Sequence, residues 1–101
     1  MRPQTLAIFA RFHAREGLEP EAAAALAAQV PKARAEPGCV EIHAYRAARD
    51  PRLFFIHSRW ADEAAFEIHA TLPNTVAFVA RMEALIDHPF EATRARLLDE
   101  G

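Results

Sequence analysis

One histidine occupies a position suited to proton transfer. His69 lies three residues after Phe66 and three residues before Leu72, a spacing that places all three on one face of a helix. That face is predicted to point toward a sheet, where a partly buried imidazole can accept a proton from a phenol or a carbon acid. The alternative interpretation is a core histidine that packs and donates one hydrogen bond.

Two charged side chains on predicted strands join His69 as candidate catalytic residues. Arg11 and His57 alternate with apolar residues, and a charge within a sheet must be paired or solvated. Arg11 could stabilise an anionic substrate oxygen, or it could form a salt bridge with Glu41 across strands or between subunits. The same two interpretations hold for His57.

Large apolar side chains could line a pocket for a planar substrate. The candidate substrate-binding residues are Trp60, Phe12, Phe66, Tyr45, Phe78 and Met82. Each of them also fits a simple core position, and for Trp60 core packing is the preferred interpretation.

The sequence gives only weak signals for a metal site and for a reactive thiol, and we predict neither. Cys39, Glu41 and His43 alternate along a predicted strand, so all three could reach one metal ion. No second cluster supports that site, and no base lies beside Cys39 to activate its thiol. Phosphate-binding glycine loops, dinucleotide fingerprints and nucleophile elbows are also absent from the sequence. We therefore expect neither a metal nor a cofactor.

Composition limits the class of protein. A chain of 101 residues, 51% hydrophobic and 26% charged, has an ordinary globular balance and predicts one domain over residues 1–101. The net charge of −2 argues against nucleic acid or an anionic membrane as a partner. No apolar run approaches the roughly 20 residues needed to cross a bilayer, and a signal-peptide core is absent. A single cysteine fits the cytoplasm, and the abundance of Ala, Arg and Pro suggests a bacterial source.

The elements that must position these side chains follow from periodicity. Alternation predicts strands at residues 6–13, 40–47, 53–60 and 90–98. Helical spacing predicts a helix from Pro20 to about Ala33, a short helix after the cap Asp62, and a further helix over residues 75–86. Pro37 cannot continue the first helix, and Gly38 is expected to adopt the left-handed conformation that closes it.

The order βαββααβ predicts an α+β fold. With the two later helices counted as one split unit, it is the ferredoxin-like βαββαβ arrangement with an antiparallel four-stranded sheet. The helices should cover one face of the sheet. The other face mixes aromatic, Arg and His side chains, and such a face usually finds a partner. We therefore predict a homodimer with the two sheets packed face to face.

Several segments resemble the antibiotic biosynthesis monooxygenase family. They are residues 34–39 (Arg-Ala-Glu-Pro-Gly-Cys), Trp60, residues 62–64 (Asp-Glu-Ala), His69 and residues 71–73 (Thr-Leu-Pro). The resemblance implies a dimeric α+β barrel and a cofactor-independent monooxygenase that oxidises a small aromatic quinol, phenol or polyketide-like compound with O2. Alternatives within the same fold are a non-oxidative isomerase or cyclase, and a non-catalytic small-molecule-binding or stress-response module.

The resemblance also has limits. Many family members carry Glu two residues before the tryptophan, where this chain has Ser58, so a carboxylate that could act as a base is missing. The haem-degrading branch is a poor match, because its Asn, Trp and His positions are occupied here by Phe12, His69 and Val79.

Overall fold

The predicted element order is confirmed. The structure is a computed structural model that describes residues 5–99. Its elements, in chain order, are β1 (Leu6–His13), α1 (Glu19–Arg34), β2 (Cys39–Arg46), β3 (Leu53–Trp60), α2 (Glu63–Thr71), α3 (Pro73–Leu85) and β4 (Ala92–Ala95). The fold is the predicted α+β, ferredoxin-like arrangement, with its second helical unit divided into α2 and α3.

The four strands form one antiparallel sheet in the order β2-β3-β1-β4. Alternate residues of the two central strands, such as Phe12 and Ile56, are buried on the face that the helices cover. Their neighbours Phe9 and Phe55 are exposed on the opposite face, which we call the open face. Because strand residues alternate between faces, the open face can contribute nothing to the core beneath the helices.

Local sequence signals explain where the helices begin. Gly17, with a φ of 86°, makes the left-handed turn before α1. Pro20 lies in the first turn of α1, where a missing N–H leaves no hydrogen bond unmade. The helix continues past Pro31 to Arg34. The Asp62 side chain caps α2 by accepting a hydrogen bond from the backbone N of Ala65 at 2.8 Å.

The turn between α1 and β2 differs from the prediction. The expected left-handed conformation of Gly38 is wrong, because Gly17 is the glycine with positive φ among residues 5–99. Gly38 instead lies against α2, and a Cβ added there would collide with the Cβ of Ala65. The requirement for glycine is therefore close approach rather than backbone conformation.

The last strand is shorter than predicted. Only Ala92–Ala95 pairs with β1, whereas the prediction extended the strand over residues 90–98. Arg94 is paired with Ile8, so it lies on the helix-covered face. Its guanidinium donates to Glu63 at 2.7 Å, lies 5.2 Å from the centroid of the Phe66 ring, and thereby joins β4 to α2. Within the part of the chain that is described, no helix has the length and apolar character of a membrane span.

Candidate active site

A histidine and a carboxylate meet between α2 and the turn after α1. The Nδ1 atom of His69 lies 2.8 Å from Oε2 of Glu36 and 3.0 Å from Oε1. Both side chains are largely buried, with 12% and 13% of their surfaces exposed. Partial burial strengthens such a contact, because less water competes for the polar atoms.

The neighbours of His69 determine its tautomer. The carboxylate of Glu36 accepts hydrogen bonds only. The hydroxyl of Thr75 donates to Asn74 at 3.2 Å and so turns its lone pairs toward His69 Nδ1, 3.4 Å away. Both neighbours are therefore acceptors, which places the imidazole proton on Nδ1. The other ring nitrogen, Nε2, has no hydrogen bond within residues 5–99, and in the neutral imidazole of this tautomer it carries the free lone pair.

An aromatic stack fixes the plane of the imidazole. The centroids of the Trp60 and His69 rings are 4.4 Å apart, with an angle of 33° between the planes. The indole N–H of Trp60 donates to Ser58 Oγ at 3.0 Å, so the tryptophan is anchored in turn. Phe66 packs against both rings, with its centroid 5.7 Å from that of His69 and 5.9 Å from that of Trp60. The imidazole is thus held by Glu36, by the more distant Thr75 hydroxyl and by two aromatic rings.

His69 lines a cavity of about 110 Å³ between the sheet and the helices. Most of its wall is apolar and comes from all parts of the fold: Ile8, Ala10, Phe12, Ile42, Ile56, Phe66, Ala70, Phe78, Val79, Phe90 and Ala92. The polar side chains on the wall are His69, Gln29, Ser58 and Thr75. The arrangement is that of a small-molecule site, with an apolar enclosure and a few convergent polar groups.

The Glu36–Cys39 turn brings the carboxylate to the histidine. The backbone N of Cys39 donates to the Glu36 carbonyl at 3.1 Å, which closes the turn. The Gly38 carbonyl accepts from the backbone N of Ala61 at 2.9 Å, at the end of β3 just before α2. Since Gly38 has no side chain, α2 can pack directly on this turn. The same turn therefore carries Glu36 and positions the helix that carries His69.

Three of the predicted substrate-binding residues line the cavity, and three do not. Phe12, Phe66 and Phe78 form part of its wall. Trp60 and Met82 are buried but are not part of that wall, and Trp60 packs against the wall residue His69. Tyr45 is half exposed and is paired with Phe55 on the open face. Within one chain it therefore does not reach this cavity, since strand alternation directs it away from the helices.

Arg11 and His57 lie on the open face of the sheet. Arg11 is paired with Phe55, and His57 with Phe9, whose ring centroid is 4.9 Å from the imidazole. The sheet therefore separates both from His69, and the expectation of one shared pocket is not met within one chain. Glu41, considered as a partner of Arg11, instead accepts from Arg59 at 2.7 Å, and this bond lowers the pKa of the Glu41 carboxyl.

A β-bulge separates Cys39 from the other two residues of the possible metal site, Glu41 and His43. The register shifts between Cys39 and Glu41, so Cys39 is paired with Trp60 while Glu41 and His43 remain on the open face. No metal-binding group of three or more His, Cys, Asp or Glu side chains occurs within residues 5–99. Burial, and then the nearby charge of Glu36, raises the pKa of the Cys39 thiol. The thiol is thus protonated at neutral pH and poorly nucleophilic.

Two residues of the site are missed by the sequence analysis. Glu36 was noted only as part of a turn, and Gln29 only as part of a helix. Gln29 falls among the buried positions of α1, between Leu26 and Val30. A polar residue at a predicted core position is the signal that could have identified it, because such groups need a partner. Nothing comparable marks Glu36, whose partner is 33 positions away.

Comparisons with known proteins agree with this architecture. The family model described as antibiotic biosynthesis monooxygenase matches residues 5–81. The Rv0793 protein of Mycobacterium tuberculosis is 28% identical, with a TM-score of 0.88, over 95% of this chain and 97% of that chain. PA3566 of Pseudomonas aeruginosa is 26% identical, with a TM-score of 0.89, over 98% of this chain and 99% of that one. A structure described as an antibiotic biosynthesis monooxygenase is 20% identical and has a TM-score of 0.86, over 93% and 99% of the two chains, which shows a shared fold. No curated protein matches the chain significantly.

Proposed function

Because the chain belongs to the antibiotic biosynthesis monooxygenase family, we propose that it is a cofactor-independent monooxygenase. Its substrate is a small aromatic phenol or quinol, and its oxidant is O2. One observation carries the proposal: His69, held through Nδ1 by Glu36 at 2.8 Å, lies on the wall of an apolar cavity, and its Nε2 makes no hydrogen bond within residues 5–99. A base in such a place can generate a phenolate away from water.

His69 performs the proton transfer in this scheme. With Nδ1–H donating to Glu36, Nε2 accepts the phenolic proton, and the carboxylate stabilises the imidazolium that forms. Deprotonation raises the energy of the aromatic electrons enough for one of them to pass directly to triplet O2. The scheme therefore needs no cofactor, since the substrate anion itself is the reductant.

Bond formation follows the electron transfer. Superoxide and the phenoxyl radical combine at a ring carbon, and the His69 imidazolium returns its proton to the new peroxide. The ring carbon then loses its hydrogen as a proton while the O–O bond breaks, and the departing hydroxide takes that proton to form water. One oxygen atom stays on the ring as a carbonyl, the other leaves as water, and a quinol supplies all four electrons.

The cavity limits the size of the substrate. A dry cavity of about 150 Å³ admits a benzene ring, and the volume here is about 110 Å³. This cavity is therefore too small to enclose a whole ring, and a single substituted ring can enter only with part of it extending past the exposed wall residues Ala70 and Ala92. Larger polyketide-like rings would require α2 to move away from β4.

The two alternative functions are less well supported. A non-catalytic module could have its interior filled by side chains, whereas this chain has a cavity whose wall includes His69, the partner of Glu36. An isomerase or cyclase would use the same proton-transfer group and remains distinguishable, because it consumes no oxygen. Fold alone does not choose between them.

A homodimer through the open face is part of the proposal. That face carries Phe9, Tyr45 and Phe55, which are 53%, 50% and 37% exposed. An apolar patch of this kind on a sheet is typical of an association surface. Two copies packed face to face would cover these rings, and the cavities would remain on the outer, helical sides.

Oxygen consumption tests the function. Purified metal-free protein is supplied with quinols, catechols and anthrones, and His69→Ala is measured beside it. If His69 is the base, the variant should lose about a hundredfold or more in rate. Exposed Glu83→Gln on α3 serves as a control and should retain the full rate. A near-normal rate in folded His69→Ala refutes the role of His69, and no uptake across the panel refutes the monooxygenase.

A further inference from the structure

One side chain that lines the cavity carries a buried polar atom without a partner. Gln29 lies in the middle of α1, and only 5% of its surface is exposed. Its Nε2 atom is buried and makes no hydrogen bond within residues 5–99. The side chain nevertheless lines the same cavity as His69.

The surroundings of Gln29 leave this donor to a ligand. The other polar wall groups already have partners: Ser58 accepts from Trp60, and Thr75 donates to Asn74. The remaining wall is apolar. A buried amide N–H without an acceptor destabilises a folded protein, and native proteins rarely keep one without a functional reason.

We propose that Gln29 is a substrate-binding residue whose amide donates a hydrogen bond to a second oxygen of the substrate. This inference rests on the proposed function, in which His69 deprotonates the first oxygen. Side chains from two helices, α1 and α2, then line a cavity of about 110 Å³, which no more than one ring can enter. The substrate class is thereby narrowed to single aromatic rings that carry two oxygen substituents.

The hydrogen bond also assists the reaction. In the four-electron oxidation the deprotonated oxygen and the attacked ring carbon become carbonyls, while the second hydroxyl keeps its hydrogen. A fixed amide donor to the oxygen of this second hydroxyl orients the ring, so that the first hydroxyl stays beside His69. Gln29 therefore favours quinols over simple phenols both in binding and in turnover.

Anaerobic binding tests the inference without turnover. Catechol, resorcinol and hydroquinone are each compared with the methylphenol of the same substitution pattern, in which a methyl group replaces one hydroxyl. Binding is followed by the fluorescence of Trp60, the single tryptophan, which stacks on His69. At least one diol should bind about tenfold or more tightly than its methylphenol, because the methylphenol leaves the amide unpaired.

Nuclear magnetic resonance provides a direct readout in the native protein. The chain has three side-chain amides, Gln4, Gln29 and Asn74, so their signals are easily assigned. The preferred diol should shift the Gln29 amide proton downfield, and the matching methylphenol should not. An unmoved Gln29 signal with the diol bound overturns the proposal, whether or not any variant folds.

Gln29→Met separates a binding role from a structural one, since Met has a similar length and no donor. The variant should lose the tenfold preference for the diol and keep its affinity for the methylphenol. Its melting temperature should rise by about 4 °C or more, because an unpaired polar group leaves the core. Lys32→Met, on the exposed side of α1, should change neither quantity.

The remaining outcomes are equally decisive. A diol preference that survives in Gln29→Met overturns the inference, as does a lower melting temperature with unchanged binding. A preference that the variant abolishes supports the inference even if the protein consumes no oxygen. In that case only the proposed monooxygenase reaction fails.

Discussion

The imidazole Nδ1 of His69 lies 2.8 Å from Oε2 of Glu36, although 33 positions separate the two residues. The pair joins the turn after α1 to helix α2. It is close only because Gly38, two residues after Glu36, lets α2 pack on that turn. The orientation of the base is therefore a property of this one contact between elements.

Glu36→Gln should slow turnover without weakening substrate binding. The amide can present an N–H to Nδ1, which would move the imidazole proton to Nε2 and remove the lone pair that faces the substrate. We expect kcat in oxygen consumption to fall by about tenfold to a hundredfold, with KM nearly unchanged. Glu83→Gln makes the same chemical change on the surface and should keep the native kcat. An equal loss of kcat in both variants would contradict the orienting role.

Gly38→Ala should lower both stability and activity. The new Cβ collides with Ala65 and pushes α2 outward, which costs about 1–3 kcal/mol of unfolding free energy as overpacking. The same displacement separates His69 from Glu36. Gly17→Ala is the matched control. An alanine at this positive φ should lower the unfolding free energy by about 1 kcal/mol, while its new Cβ meets no other atom within 4 Å. Urea unfolding and oxygen uptake should then separate the two variants, and intact turnover in Gly38→Ala would argue against the packing explanation.

Acid stability should depend on Asp87. Its carboxylate contacts Nδ1 of His13 at 2.6 Å and lies 3.5 Å from Arg52, and the His13 bond above all lowers its pKa. A depressed pKa stabilises the fold above the unfolded value of about 3.9, and this contribution disappears as the pH falls through the folded value.

Asp87→Asn tests this prediction. The unfolding free energy of the variant should lie below that of the native protein at neutral pH, and the two should converge below about pH 4. Chemical unfolding between pH 2 and pH 7 measures both curves. Because the pair is partly exposed, added salt should shrink the difference. If the difference in unfolding free energy between the two proteins is the same at every pH, the substitution removes packing rather than a charge interaction.

Phe9→Glu should dissociate the proposed dimer. Phe9 is 53% exposed on the open face, and an interface between identical sheets would bring the new charge close to its own copy or to the apolar rings around it. Light scattering should show a mass half that of the native protein. Ile68→Glu, at a residue 63% exposed on α2, is the control and should leave the mass unchanged. A native protein that is already monomeric would refute the proposed interface.

Much of the fold could be predicted from local patterns. The alternation over residues 6–13 and 53–60 gave both central strands with their observed bounds. Asp62 marked the start of α2 because an N-cap is a property of a few neighbouring residues. The last strand was overextended, since its end depends on where pairing with β1 stops rather than on its own sequence.

Only part of the candidate site could be predicted from the sequence. His69 and the aromatic rings Phe12, Phe66 and Phe78 were found because residue type and helical or strand face are written in the sequence. Arg11, His57 and Tyr45 were grouped with them, but strand alternation put all three on the open face. Residue type shows the chemistry of these side chains, but only the packing of the helices decides which face of the sheet holds the cavity.

The sequence alone determined the order of elements, the family and the identity of the candidate base, because these follow from short-range spacing and from residue type. Tertiary structure decided which carboxylate orients His69, that Gly38 is needed for close packing, and that Gln29 keeps an unpaired amide on the cavity wall. These three relationships join residues distant along the chain. They depend on how helices pack on a sheet, and no local periodicity encodes that geometry.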